Sequence, residues 1–126
     1  MCVKVLLAED AELVRKAIRV LLSEHEDITL VAEAATFSEA VQKAEGLSPD
    51  VIVLDLHMAD GAKQHLPAGA KLLAISFAND NEAKASAESI GASKLLDKME
   101  LANELIPAIL ELAPAKTMQR AGAAIS

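Results

Sequence analysis

The stretch Pro49-Asp50-Val51-Ile52-Val53-Leu54-Asp55-Leu56 runs four apolar residues together between a Pro-Asp turn and a carboxylate. Its hydrophobicity follows neither the alternation of a half-exposed strand nor the stripe of a surface helix. A run this short that is apolar on both faces reads as a strand buried on both sides, the kind found in parallel sheets covered by helices. Val3–Ala8 and Leu72–Ile75 read the same way; Ile28–Ala34 is a further strand and Lys94–Leu96 a weaker one. Between them lie helical patterns. Over 11–24, Leu13, Val14, Ala17, Ile18, Leu21 and Leu22 form one apolar stripe. Thr36 with Glu39 has the form of a capping box opening a helix to about Ala44, stopped by Gly46 and Pro49. Residues 80–90 read as a helix with Asp80 as N-cap and Gly91 just past its end, and the last helix spans about 102–112 with Asn103 as cap, so that Pro107 falls in the first turn. Between His57 and Lys71, Gly61, Pro67 and Gly69 leave room for a helix of no more than about two turns. The order β-α-β-α-β-(short α)-β-α-β-α predicts an α/β fold: a doubly wound five-stranded parallel sheet with helices on both faces and the third helix shortened.

Composition narrows the function. At 126 residues the chain has the length of one domain, and 52% hydrophobic residues argue against disorder. Twelve Lys+Arg against nineteen Asp+Glu give a net charge of −7, which disfavours direct binding to nucleic acid. Phe37 and Phe77 are the only aromatics, too few for a base-stacking platform. Cys2 has no partner for a disulfide, and the spacing of His25, His57 and His65 does not suggest a zinc site. No stretch approaches the roughly 18–20 apolar residues that span a bilayer. The expectation is a cytoplasmic protein with no membrane association.

In doubly wound sheets, ligands bind at the carboxyl ends of the strands. Glu9 and Asp10 follow the first strand, Asp55 the third, Ser76 the fourth and Lys98 the fifth. Singly, an acidic pair at a strand end is more often a helix cap or a solvated loop, and a lone Ser or Lys is usually surface. Their meeting at one sheet edge is what points to chemistry. Converging carboxylates repel unless a cation joins them, and Mg²⁺ suits oxygen ligands. A lysine and a hydroxyl suit phosphoryl oxygens. Together they fit phosphoryl transfer to a carboxylate nucleophile.

These residues, with Leu7-Ala8-Glu9-Asp10, Pro49 to Leu56, Ser76, Gly91-Ala92 and Leu96-Asp97-Lys98, give the chain a resemblance to the receiver domain of bacterial two-component response regulators, the CheY-like fold, from residue 3 to about 112. Glu33-Ala34 and the surroundings of Leu13-Val14-Arg15 look most like NarL/LuxR-type receivers. The resemblance implies that Asp55 is the phospho-acceptor and that Asp10 binds Mg²⁺ directly. Glu9 would do so mainly through water, and the backbone carbonyl of His57 would be a further ligand. Ser76 would hydrogen-bond the phosphoryl group and Lys98 would pair with it. It also implies a histidine kinase or phosphotransfer protein as donor and a protein partner as recipient of the signal. Residues 1–112 would form the receiver and 113–126 a short flexible tail.

The chain departs from the pattern at Met58-Ala59, where Met-Pro is usual, and at Phe77, where a small residue is usual. Leu95 stands in place of an aromatic and Met99 in place of a proline. Leu95 cannot act as an aromatic rotor, so the signal is expected to pass through the helix at 80–90 and the strand at 94–97. Phe77 is expected to shield the acyl phosphate from water. An alternative function is a pseudo-receiver, an interaction module without phosphorylation-driven switching; a homodimer also stays open. Asp55-Leu56-His57 lacks the second Asp of an aspartyl-phosphate phosphatase, which favours a signalling module over an enzyme.

Overall fold

The computed structural model describes residues 2–60, 65–78 and 80–113. Five strands, β1 (Val3–Ala8), β2 (Ile28–Ala34), β3 (Val51–Asp55), β4 (Lys71–Ser76) and β5 (Lys94–Asp97), form one parallel sheet in the order β2-β1-β3-β4-β5. Helices α1 (Glu12–Ser23), α2 (Phe37–Leu47), α3 (Asn81–Ser89) and α4 (Leu101–Leu112) cover it. Every residue of β3 is buried, as its uninterrupted apolar run requires.

Alternate residues of each strand feed opposite faces. Val5, Leu7, Val51, Val53, Leu73 and Ile75 pack with Ile18 and Leu22 of α1 and with Leu101, Leu105 and Ile109 of α4. Leu6, Ala8, Ile52, Leu54 and Leu72 meet Ala40 and Ala44 of α2, and Ala74 meets Ala83 and Ala87 of α3. The second face is thus covered largely by alanines. A cavity of about 500 Å³ lies on that side, lined by residues that include Phe37, Ile52, Leu54, Leu66, Leu72 and Ile90. Among the described residues, the crossover from β3 to β4 contributes a 3-10 turn, Leu56–Ala59, and no α-helix.

Local signals account for several helix ends. Thr36 Oγ1 accepts from Glu39 N–H at 3.1 Å, while Glu39 Oε1 accepts from Ala35 N–H at 2.8 Å. Asp80 Oδ1 caps α3 by accepting from Ala83 N–H at 2.9 Å. Gly91 follows with φ +80°, a left-handed conformation that glycine adopts without a Cβ clash.

Other ends correct the sequence reading. α2 continues through Gly46 to Leu47 and stops where Ser48 turns left-handed, φ 48°, with its N–H donating to Ala44 O at 3.0 Å. One glycine costs only about 1 kcal/mol in a helix, too little to end it by itself. α4 starts at Leu101, not at an Asn103 cap, because a 3-10 turn (Lys98–Glu100), capped by Asp97 Oδ1 from Met99 N–H at 2.8 Å, leads directly into it. Pro107 is therefore interior to the helix rather than in its first turn. Burial of Leu101 and Leu105 against the sheet offsets the backbone bond that the proline cannot make. The expected tail lies outside the described residues, apart from Ala113.

No helix among the described residues is long and apolar enough to cross a membrane.

Candidate functional site

The carboxyl edge of the sheet brings Glu9, Asp10, Asp55 and Lys98 together, with Ser76 at the end of β4 on the same edge. β1 ends at Ala8 and delivers Glu9, whose backbone N–H donates to Ala34 O of β2 at 3.0 Å. Arg15, one turn into α1, holds the Glu9 carbonyl through Nη1 at 2.8 Å. The Glu9 side chain turns inward and is fully buried, and its Oε2 accepts from Ala11 N–H at 3.0 Å. That bond serves the start of α1, whose N-cap residue Ala11 has no side chain able to cap.

Asp55 closes β3, and its Oδ1 accepts from His57 N–H at 3.1 Å, capping the 3-10 turn that follows. The residue is only 3% exposed. Lys98, just after β5, extends its ammonium between the two buried acids. Nζ lies 2.9 Å from Glu9 Oε1 and 3.5 Å from Asp55 Oδ1. Apart from this ion pair, Glu9 Oε1 accepts no hydrogen bond from the described residues. Ser76, fully buried at the end of β4, uses Oγ to accept from Ala78 N–H at 3.0 Å, which leaves its O–H free to donate elsewhere.

Asp10 completes the set at the solvent side. Carboxylate oxygens of Glu9, Asp10 and Asp55 all lie within 4.8 Å of one another, with Asp10 exposed and the other two buried. Burial pushes the Glu9 carboxyl above the ordinary range, against the hydrogen bonds of Lys98 and Ala11. Asp10 is held below the ordinary range, first by its neighbour Glu9 and then by Asp55. Three converging carboxylate oxygens, one of them buried and short of hydrogen bonds and one open to solvent, are a donor set that suits a hard divalent cation such as Mg²⁺.

His57 touches the site only through its backbone N–H, which donates to Asp55 Oδ1. Its side chain is 69% exposed, with Nδ1 3.4 Å from Asp60 Oδ2, and its carbonyl accepts from Asp60 N–H at 3.2 Å. Phe77 stands at the edge of the site with its ring centroid 5.1 Å from Lys98 Nζ. Arg15 is the residue that sequence reasoning did not assign to the site. It belongs to the polar surface of an amphipathic helix, and its contact with Glu9 depends on how α1 docks.

The profile of the response regulator receiver domain family matches residues 5–110. The response regulator protein VraR of Staphylococcus epidermidis is 34% identical over 117 residues, covering 86% of this chain and 56% of that protein. VraR of Staphylococcus aureus is 40% identical over 90 residues, 65% of this chain and 43% of that protein. The chain thus spans about half the length of the curated relatives it matches. Among solved structures, the receiver domain of the NarL response regulator from Mycobacterium tuberculosis aligns with a TM-score of 0.76 at 23% identity, covering 87% of this chain and 94% of that one. A LuxR-family two-component response regulator from Aurantimonas aligns at 0.75 and 22%, covering all of both chains. At these identities the structural likeness speaks for the fold, and it is the CheY-like doubly wound fold. With the profile covering most of its length, the chain belongs to the response regulator receiver domain family.

Proposed function

We propose that Asp55 accepts a phosphoryl group from a phosphorylated histidine of a histidine kinase or phosphotransfer protein, with Glu9, Asp10, Asp55 and the His57 carbonyl as the residues that would hold Mg²⁺. One observation carries this reading: a buried lysine ammonium lies 3.5 Å from a buried carboxylate whose strand ends at the sheet edge where ligands bind. An Asp55 oxygen forms the new bond to phosphorus as the phosphorus–nitrogen bond of the donor breaks, its electron pair leaving with the imidazole. Lys98 moves with the charge, from pairing with Asp55 to pairing with a phosphoryl oxygen. Ser76 supplies its free O–H to a second oxygen. A bound magnesium ion would neutralise charge on the phosphoryl oxygens during transfer.

The change reaches a protein partner through β5 and α3. Leu95 packs beside Leu56, Ala74, Ala83 and Ala87, which links the strand, the turn after Asp55 and the helix without an aromatic ring. A kinase donor of this kind places the protein in the cytoplasm. The test is incubation with acetyl phosphate and Mg²⁺ followed by intact mass measurement. The protein should gain one phosphoryl group and Asp55→Asn should gain none; an unmodified native protein, or a fully modified Asp55→Asn variant, overturns the proposal.

A further inference from the structure

Lys98 is approached from three directions. Glu9 Oε1 lies 2.9 Å from Nζ and Asp55 Oδ1 3.5 Å, and the Phe77 ring centroid is 5.1 Å away on a third side. The lysine side chain is 6% exposed, whereas Phe77 is 61% exposed. Phe77 is therefore not a core residue that happens to touch the site. Its exposure is an apolar cost, and the contact that the ring makes on the site side is with a cation. A lysine ammonium within about 6 Å of a phenyl centroid is attracted by the negative face of the ring.

Sheet register dictates the meeting. β4 and β5 are parallel with Ser76 opposite Asp97, so the residues that follow them, Phe77 and Lys98, emerge side by side. A long lysine stem has many rotamers, and a planar ring on one side removes those that carry the ammonium out to solvent. The two acids attract the cation, and the ring face lies within reach of the same ammonium.

We infer that Phe77 is a positioning residue for phosphoryl transfer, its ring face holding the Lys98 ammonium at the Glu9–Asp55 pair. The inference rests on the reading of Asp55 as acceptor. It differs from simple shielding of the acyl phosphate, because an aliphatic side chain of similar bulk would shield as well but offers no π face to a cation. Phe77→Leu should therefore behave like Phe77→Ala, and Phe77→Tyr should behave like the native residue.

The experiment follows Asp55 phosphorylation by acetyl phosphate at fixed Mg²⁺, by intact mass against time, in the native protein and the three variants. A cation–π contact at an exposed site is worth about 0.5–1 kcal/mol. With a factor of ten for every ~1.36 kcal/mol, phosphorylation should slow about two- to five-fold in Phe77→Leu and Phe77→Ala and stay near the native rate in Phe77→Tyr. Proton NMR of the Lys98 ε-methylene gives a readout independent of the reaction. Its resonance should be displaced by the ring current in the native protein and Phe77→Tyr and should return to the ordinary lysine position in Phe77→Leu. A Phe77→Leu variant that loses the displacement but phosphorylates at the native rate overturns the inference while the function stands. A native protein that takes no phosphoryl group overturns the function and the inference with it.

Discussion

Magnesium should raise the melting temperature of this domain, and Asp10→Asn should remove most of the rise. Three carboxylates lie within 4.8 Å of one another, and one lysine offsets only one of their charges. At that separation a pair of like charges costs about 0.9 kcal/mol in a water-like dielectric, the figure suited to the exposed Asp10, and about 3.5 kcal/mol at the effective dielectric of a partly buried pair. A dication turns this repulsion into attraction. At ten times its dissociation constant, a ligand that binds only the folded state adds about 1.4 kcal/mol of stability. For a domain of this size that corresponds to a rise of roughly 5 °C. Loss of the open carboxylate needs to weaken binding only tenfold, about 1.4 kcal/mol, to cut the stabilisation at the same Mg²⁺ concentration to about 0.4 kcal/mol, a rise of roughly 1–2 °C. Thermal melts with and without Mg²⁺, alongside Glu45→Gln at the opposite edge of the sheet as a control, make the comparison. If Asp10→Asn and Glu45→Gln both show the full native rise, Asp10 is not a ligand and the reasoning fails.

In metal-free buffer, the Glu9 carboxyl, raised chiefly by burial, binds its proton more tightly in the folded than in the unfolded chain. Its contribution is complete below the unfolded value near 4.5 and is lost as pH rises through the folded value, so Glu9→Gln should flatten the fall in melting temperature above pH 4.5; an equally steep fall in the variant would contradict this. Leu105→Ala, at a position with no exposure between α4 and the sheet, should cost about 2–5 kcal/mol by chemical denaturation, and a loss under 1 kcal/mol would mean that α4 is not the cover described. Thr36→Ala removes the oxygen that accepts from Glu39 N–H and should cost about 0.5–2 kcal/mol by the same assay, with no effect on Mg²⁺ binding.

Much of this molecule is legible along the chain. Runs such as Val51–Leu54, apolar on both faces, specify buried parallel strands because each residue answers to its own side of the sheet, and that property is local. The Thr36–Glu39 pair and Asp80 mark helix starts by hydrogen bonds spanning three or four residues, so they too are written in short windows. Once the strands are placed, the positions of Glu9, Asp10, Asp55, Ser76 and Lys98 follow from the rule that puts functional groups at the carboxyl edge. Tertiary structure decided the rest. α4 begins at Leu101 and carries Pro107 in its interior because Leu101 and Leu105 find the sheet, an energy no local cap competes with. α2 runs on through Gly46 to Leu47, and the left-handed Ser48 closes it with a backbone bond to Ala44. Lys98 could be paired with Glu9 as well as Asp55, and Phe77 laid beside the lysine, only when the strand register was set. Those contacts join residues tens of positions apart, and their free energy depends on burial and distance, quantities that exist only once the chain has closed on itself.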